Sequence, residues 1–133
     1  MRRVFVVAVL LGSLAGCSSG LNRPVQEVTA TIGQDNVQKV EITAHSFWFE
    51  PNRIVVHAGT PVELEVHNGS WIVPHNLTCI ATDAGITVSA DAGIPARTKT
   101  VRFTPTQEGE YPFFCHVDGH GKKGMKGTIV VVK

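Results

Sequence analysis

Cys115, His120 and Met125 follow one another at intervals of five in a glycine-rich stretch, Phe113-Phe114-Cys115-His116-Val117-Asp118-Gly119-His120-Gly121-Lys122-Lys123-Gly124-Met125. A thiolate, an imidazole and a thioether so spaced can meet at one point from the rims of a folded-over loop. Gly119, Gly121 and Gly124 permit the tight backbone that such a loop needs. Soft sulfur donors beside imidazole select copper, in a geometry that suits both its cuprous and cupric states. A fourth ligand is expected from a neighbouring strand end. His75 is the strongest candidate, because Pro74 holds the chain extended before it and the apolar run Trp71-Ile72-Val73 leads into both. Four protein ligands leave no open position for a substrate, unlike a catalytic metal with its bound water. The chemistry expected is transfer of single electrons, and no enzyme activity is expected.

The elements that must hold these side chains read as strands. From Val37 the period is two, with Val40 and Ile42 on one face and Lys39, Glu41 and Thr43 on the other. Arg53 to His57 is a short strand closed by Ala58-Gly59. Val62, Leu64 and Val66 alternate with Glu63, Glu65 and His67, and Asn68-Gly69 ends that run as a turn. Val101 and Phe103 alternate with Thr100 and Arg102. Glu108-Gly109 turns the chain into Tyr111 to Cys115, and Thr128 to Val132 supplies a β-branched last strand. Seven or so short strands with turns between them predict an all-β, Greek-key β-sandwich over residues 35–133. Residues 80–97, rich in Ala, Gly, Ser and Thr, read as a long excursion with a short strand at Ile86 to Val88. Residues 17–34 are polar, with Gly20, Pro24 and Gly33, and read as a flexible tether containing at most an edge strand at Val28 to Ile32.

At 133 residues, 43% of them hydrophobic and 17% charged, the chain has room for one core and not for several catalytic domains. Twelve Lys and Arg against eleven Asp and Glu give a net charge of +1, which offers no bulk field for nucleic acid. A monomer is expected. Arg2 and Arg3 precede the apolar run Val4 to Leu11, and the segment closes on Leu14-Ala15-Gly16-Cys17. A basic start, a short apolar run and small residues make a secretory signal over residues 1–16, too short for a permanent membrane span. Its ending resembles the bacterial lipoprotein signal. That resemblance implies lipid on Cys17, membrane attachment through that lipid alone, and a place on the periplasmic side of the envelope. Ser18 after the lipid site favours the outer membrane in a Gram-negative host.

The mature region resembles the cupredoxins, the small blue-copper proteins, from about Val37 to Lys133. The likeness rests on Phe47-Trp48-Phe49-Glu50-Pro51, on Ala58-Gly59-Thr60 before a strand, and on His75-Asn76. It also rests on the Cys-x4-His-x4-Met loop followed by Lys126-Gly127-Thr128-Ile129-Val130-Val131. The loop spacing is most similar to the auracyanin and rusticyanin types. Residue by residue, the resemblance implies that His75, Cys115 and His120 form the trigonal ligand set of one type 1 copper, with Met125 as weak axial sulfur. It further implies that Asn76 hydrogen-bonds across to the cysteine-bearing loop. His120, in the surface loop, is expected to be the electron port. Lys122, Lys123 and Lys126 form a basic patch beside it, which predicts a redox protein partner with an acidic docking face. Copper storage or delivery through the same ligands is the alternative function.

Three features stand outside this pattern. Cys79, four residues after His75, is expected as a buried strand cysteine, with proximity to copper or a disulfide to Cys115 as the other reading. The dinuclear copper centre of terminal oxidases needs two cysteines and a histidine within one short loop, and only Cys115 lies in this one. His116 should point away from the metal, because side chains alternate at a strand end. His45, His57 and His67 match no familiar metal spacing. A second metal would require His45 and His57 to meet across strands.

Overall fold

The computed structural model describes residues 23–133; the expected leader, Cys17 and Ser18 lie outside the described residues. Among the described residues eleven strands run in chain order: β1 Glu27–Thr29, β2 Thr31–Ile32, β3 Gln38–His45, β4 Trp48–Glu50, β5 Arg53–His57 and β6 Val62–Asn68. There follow β7 His75–Ala81, β8 Ile86–Ala92, β9 Thr98–Phe103, β10 Gly109–Phe114 and β11 Lys126–Val132. They form two sheets, ordered β1-β5-β11-β10-β7-β8 and β2-β3-β6-β9, with β4 paired to β3. The expected β-sandwich is present.

Alternation builds the core between the sheets. Along β3, Gln38, Val40, Ile42 and Ala44 are buried while Lys39 and Glu41 are exposed. Along β6, Val62, Leu64, Val66 and Asn68 are buried in the same rhythm. Phe49 and Phe113 meet edge to face in the middle, with ring centroids 5.2 Å apart. Such pairs add stabilisation beyond their buried area.

The excursion expected over residues 80–97 is corrected. A short 3-10 turn at Thr82–Ala84 leads into β8, which runs seven residues and pairs with the whole of β7, from Ala81↔Ile86 to His75↔Ala92. Ala90 and Ala92 occupy core positions. Alanine gives a weak hydrophobic signal, and pairing with β7 overrides its modest strand preference. The stretch read as a tether also contributes structure. β1 pairs in parallel with β5, and after Ala30 the chain crosses to the other sheet as β2, antiparallel to β3. The folded unit therefore begins before residue 35.

β1, β5 and β11 run parallel to one another, and β11 starts immediately after Met125. β3 and β6 run parallel in the other sheet, and β6 ends in the loop that leads to His75. One end of the sandwich therefore carries the loops around residues 45–48, 69–74, 93–97 and 115–125.

Candidate metal centre

β7 opens on His75 and β10 ends one residue before Cys115, and the antiparallel pair Phe114↔Thr78 joins the two strands. Adjacent strand ends thus deliver an imidazole and a thiol to the same side of the fold. The chain then turns through Gly119, which has φ +74°, and a 3-10 turn at Gly121–Lys123 brings it back to β11. Two backbone bonds close this loop: Cys115 N–H donates to the Met125 carbonyl at 3.1 Å, and Met125 N–H donates to the His120 carbonyl at 3.2 Å.

Folding brings the predicted ligands together. One donor atom each from His75, Cys115 and His120 lies within 4.8 Å of the others, and all three residues are buried. Cys115 Sγ stands 3.6 Å from His120 Nδ1, and the two imidazole centroids are 5.1 Å apart. Sulfur and nitrogen bound to one ion at about 2.0–2.3 Å stand roughly 3.5–4 Å from each other, so the sulfur–imidazole spacing already suits a shared metal. Met125 is fully buried in the same loop.

The surroundings of His75 suit a metal ligand. Its side chain is fully buried, and neither Nδ1 nor Nε2 has a hydrogen-bond partner among the described residues. Leaving a buried polar atom unsatisfied costs about 1–3 kcal/mol. Coordination of one nitrogen would remove the penalty at that atom, and two imidazole nitrogens with one thiolate sulfur and a neighbouring thioether fit copper. Burial pushes the His75 pKa down to about 4, with smaller contributions from His120 and His45. Burial and then Lys123 also lower the pKa of His120, against an opposing pull from Asp118. Both shifts favour the neutral imidazole that ligation requires.

Asn76 takes the place expected of it. Its Oδ1 accepts the His116 N–H at 2.6 Å, tying the His75 strand to the residue after Cys115. Asn76→Ala should weaken copper binding about 10- to 100-fold, the usual cost of losing an outer contact that orients a ligand. Competition against a chelator of known affinity measures this, and unchanged affinity would show that the tie is dispensable. The His116 ring points outward, is exposed, and rests on Phe114 with centroids 4.4 Å apart.

Cys79 is buried, and burial raises its pKa to about 11. The strand register sets it opposite Phe113, whereas Cys115 comes opposite Leu77. Such diagonal neighbours stand about 7–8 Å apart, beyond the usual Cα separation of a disulfide. Both cysteines are free. Cys79 is thus a core residue, outside the ligand cluster.

The three remaining histidines do not assemble. His45 stacks on Trp48 at 4.0 Å and contacts Glu50, whereas His57, in the other sheet, contacts the Lys133 carbonyl through Nδ1. His67 lies with Glu41 and Glu65 on the outer face of the β3–β6 pair, its Nδ1 2.8 Å from Thr98 Oγ1. The meeting of His45 with His57 is ruled out by their separate sheets.

His120 also differs from expectation. It is only 7% exposed, because Phe47 packs edge-on against it at 4.9 Å and Lys123 sits 3.9 Å above the Phe47 ring. An open imidazole edge is replaced by an aromatic cover. Phe47 holds φ +75° in the β3–β4 turn, and its place in the run Phe47-Trp48-Phe49 was its only sequence signal. Asn68, read as a turn residue, is buried; its Nδ2 donates to the carbonyls of Val73, Ala92 and Gly93, and its Oδ1 accepts the Ser70 N–H. It fixes the loop leading to His75 against the end of β8.

A family model for the cupredoxin-like domain matches residues 6–131. The chain belongs to the cupredoxin-like family. It is similar to cytochrome c oxidase subunit 2 of Thermus thermophilus, 31% identical over 109 residues that cover 81% of this chain and 74% of that protein. Among solved structures it resembles the metal-binding domain of the Cu(I)-exporting P-type ATPase of Streptococcus pneumoniae, solved with Cu(I). That match has TM-score 0.63 and 26% identity, and covers 84% of this chain and all of that one (100%). Dithionite-reduced auracyanin from Roseiflexus castenholzii shares the fold at TM-score 0.63 and 21% identity, covering 71% of this chain and 97% of that one. This cupredoxin thus has one cysteine in its ligand loop, two buried imidazoles facing it, and a buried methionine closing the loop.

Proposed function

We propose that this cupredoxin carries single electrons between redox partners on the periplasmic side of the envelope, held to the membrane by lipid on Cys17. The observation that carries the reading is the buried His75–Cys115–His120 cluster, in which His75 has no other partner among the described residues. Bound there, copper supplies one-electron chemistry by alternating between its cuprous and cupric states. His75, Cys115 and His120 would hold it, with the buried Met125 thioether as a further sulfur donor from the same loop. The protein's residues keep the centre dry and fixed. Asn76 locks the ligand-bearing strands together, Asn68 holds the loop before His75, and Phe47 shields His120 from water. A site that does not rearrange adds little reorganisation to electron transfer.

Lys122, Lys123 and Lys126 are exposed around the ligand loop. They favour a partner with an acidic face. The electron-transfer rate to such a partner should fall several-fold as ionic strength rises past about 0.1 M, where the screening length is about 10 Å. Stopped-flow measurement over a salt series checks this, and a salt-independent rate would remove the lysines from docking.

A second reading is copper delivery. The likeness to the metal-binding domain of a Cu(I)-exporting ATPase favours it. Repeated oxidation and reduction in the presence of a chelator separates the two. A carrier keeps its visible band through the cycles, whereas a delivery protein loses copper in the reduced state.

A further inference from the structure

We propose that the ligand-bearing end of the sandwich faces the bilayer, with Trp71 and Ile72 seated in the lipid headgroup region. The inference rests on the lipid anchor at Cys17 proposed above. Its other grounds are where the described chain starts and what is exposed beside that point.

The chain enters the fold at the ligand end. Arg23 lies 3.9 Å over the Trp48 ring, and Trp48 stacks on His45 at the end of β3. Asn52, just before β5, donates to the Pro24 carbonyl at 3.0 Å. From Glu27 the chain runs away from this end, parallel to β5 and β11. Five residues lie between Cys17 and Arg23, a reach of at most about 22 Å. An eight-residue strand such as β3 spans about 26 Å. The arm is therefore too short to pass the body of the domain and set the bilayer against its far end.

The same end exposes apolar side chains that the core does not need. Trp71 is 73% exposed, Ile72 83% and Ile94 44%. They occupy two neighbouring loops joined by a bond from Ala96 N–H to the Ser70 carbonyl at 3.1 Å, and Asn68 braces both. The apolar tip is thus held in place. Tryptophan is the residue most at home at a membrane–water interface, where its apolar ring and its N–H are both accommodated. Arg23, Arg97, Lys122 and Lys123 lie exposed on the loops of this end, against Glu50, Asp91 and Asp118 of opposite sign. The excess of positive charge suits anionic headgroups. Electron exchange through this face then requires a partner held in or on the same membrane.

The test uses the full chain produced with its leader and reconstituted, copper reduced, in vesicles of three parts phosphatidylcholine to one part phosphatidylglycerol. Flotation reports attachment, and the Cys17→Ser variant identifies the lipid as its cause. Brominated acyl chains then report whether tryptophan reaches the lipid. Wild-type emission should fall at least about twofold more than that of Trp71→Phe, as expected for an indole in the interfacial region. Trp48→Phe, which leaves Trp71 as the only tryptophan, should show the larger quench. Protein that floats but is not quenched overturns the orientation while the anchor stands, and leaves the tip to a protein partner. Protein that does not float, or floats equally well as Cys17→Ser, overturns the anchor and the inference together.

Discussion

Cys115→Ser should abolish the intense visible band and weaken copper binding by more than about 100-fold, beyond the range for losing an outer contact. Cys115 supplies the soft anionic donor that sets this site apart from one built of nitrogen and oxygen. A serine hydroxyl stays protonated at neutral pH and is a poor ligand for cuprous copper. The substitution should leave the fold in place. The oxygen would stand too far from His120 Nδ1 for a hydrogen bond, since the sulfur it replaces is already 3.6 Å away, but an unsatisfied hydroxyl costs only about 1–3 kcal/mol. Optical titration with copper, read beside far-ultraviolet circular dichroism, separates loss of the site from loss of the fold. A folded variant that kept both colour and affinity would place the metal elsewhere and remove the basis of the electron-carrier reading.

Phe113→Ala should destabilise the protein by about 3–5 kcal/mol, out of a total expected near 5–15 kcal/mol. Phe113 is fully buried, its ring is wedged edge-on against Phe49, and its pair on β11 is Gly127. Gly127 leaves the space that the ring fills, so its partner on β11 offers no side chain to occupy the cavity. Cys115 lies two residues further along, on the same inward face. The cavity therefore opens beneath the ligand loop, and the variant should also release copper faster. Urea unfolding of metal-free and copper-loaded protein reads both effects. A cost below about 1 kcal/mol would mean that the core closes around the gap.

Strand alternation in β3 and β6 was legible in the sequence because valine, isoleucine and leucine there alternate with polar and charged residues. β8 was not, because its inward positions end in Ala90 and Ala92, whose small side chains carry little hydrophobic signal. Pairing with β7 defines that strand, and pairing is a long-range event that local composition does not encode. The segment containing β1 and β2 looked like a tether for the same reason: polar residues at the edge of a sheet owe their conformation to β5 and β3.

By itself the sequence determined the donor types and their order. One cysteine, one histidine and one methionine at five-residue intervals, with a second histidine after a proline, name soft and borderline ligands for copper whatever the fold. Tertiary structure alone decided which histidines share a site. His75 meets Cys115 across forty residues because β7 and β10 are neighbours, while His45, His57 and His67 are divided between two sheets and the outer surface. Only the structure revealed Phe47 over His120, the buried bonds of Asn68, and the shared end of chain entry and ligand loops. These depend on strand direction and sheet order, which a short-range pattern of residue types does not contain.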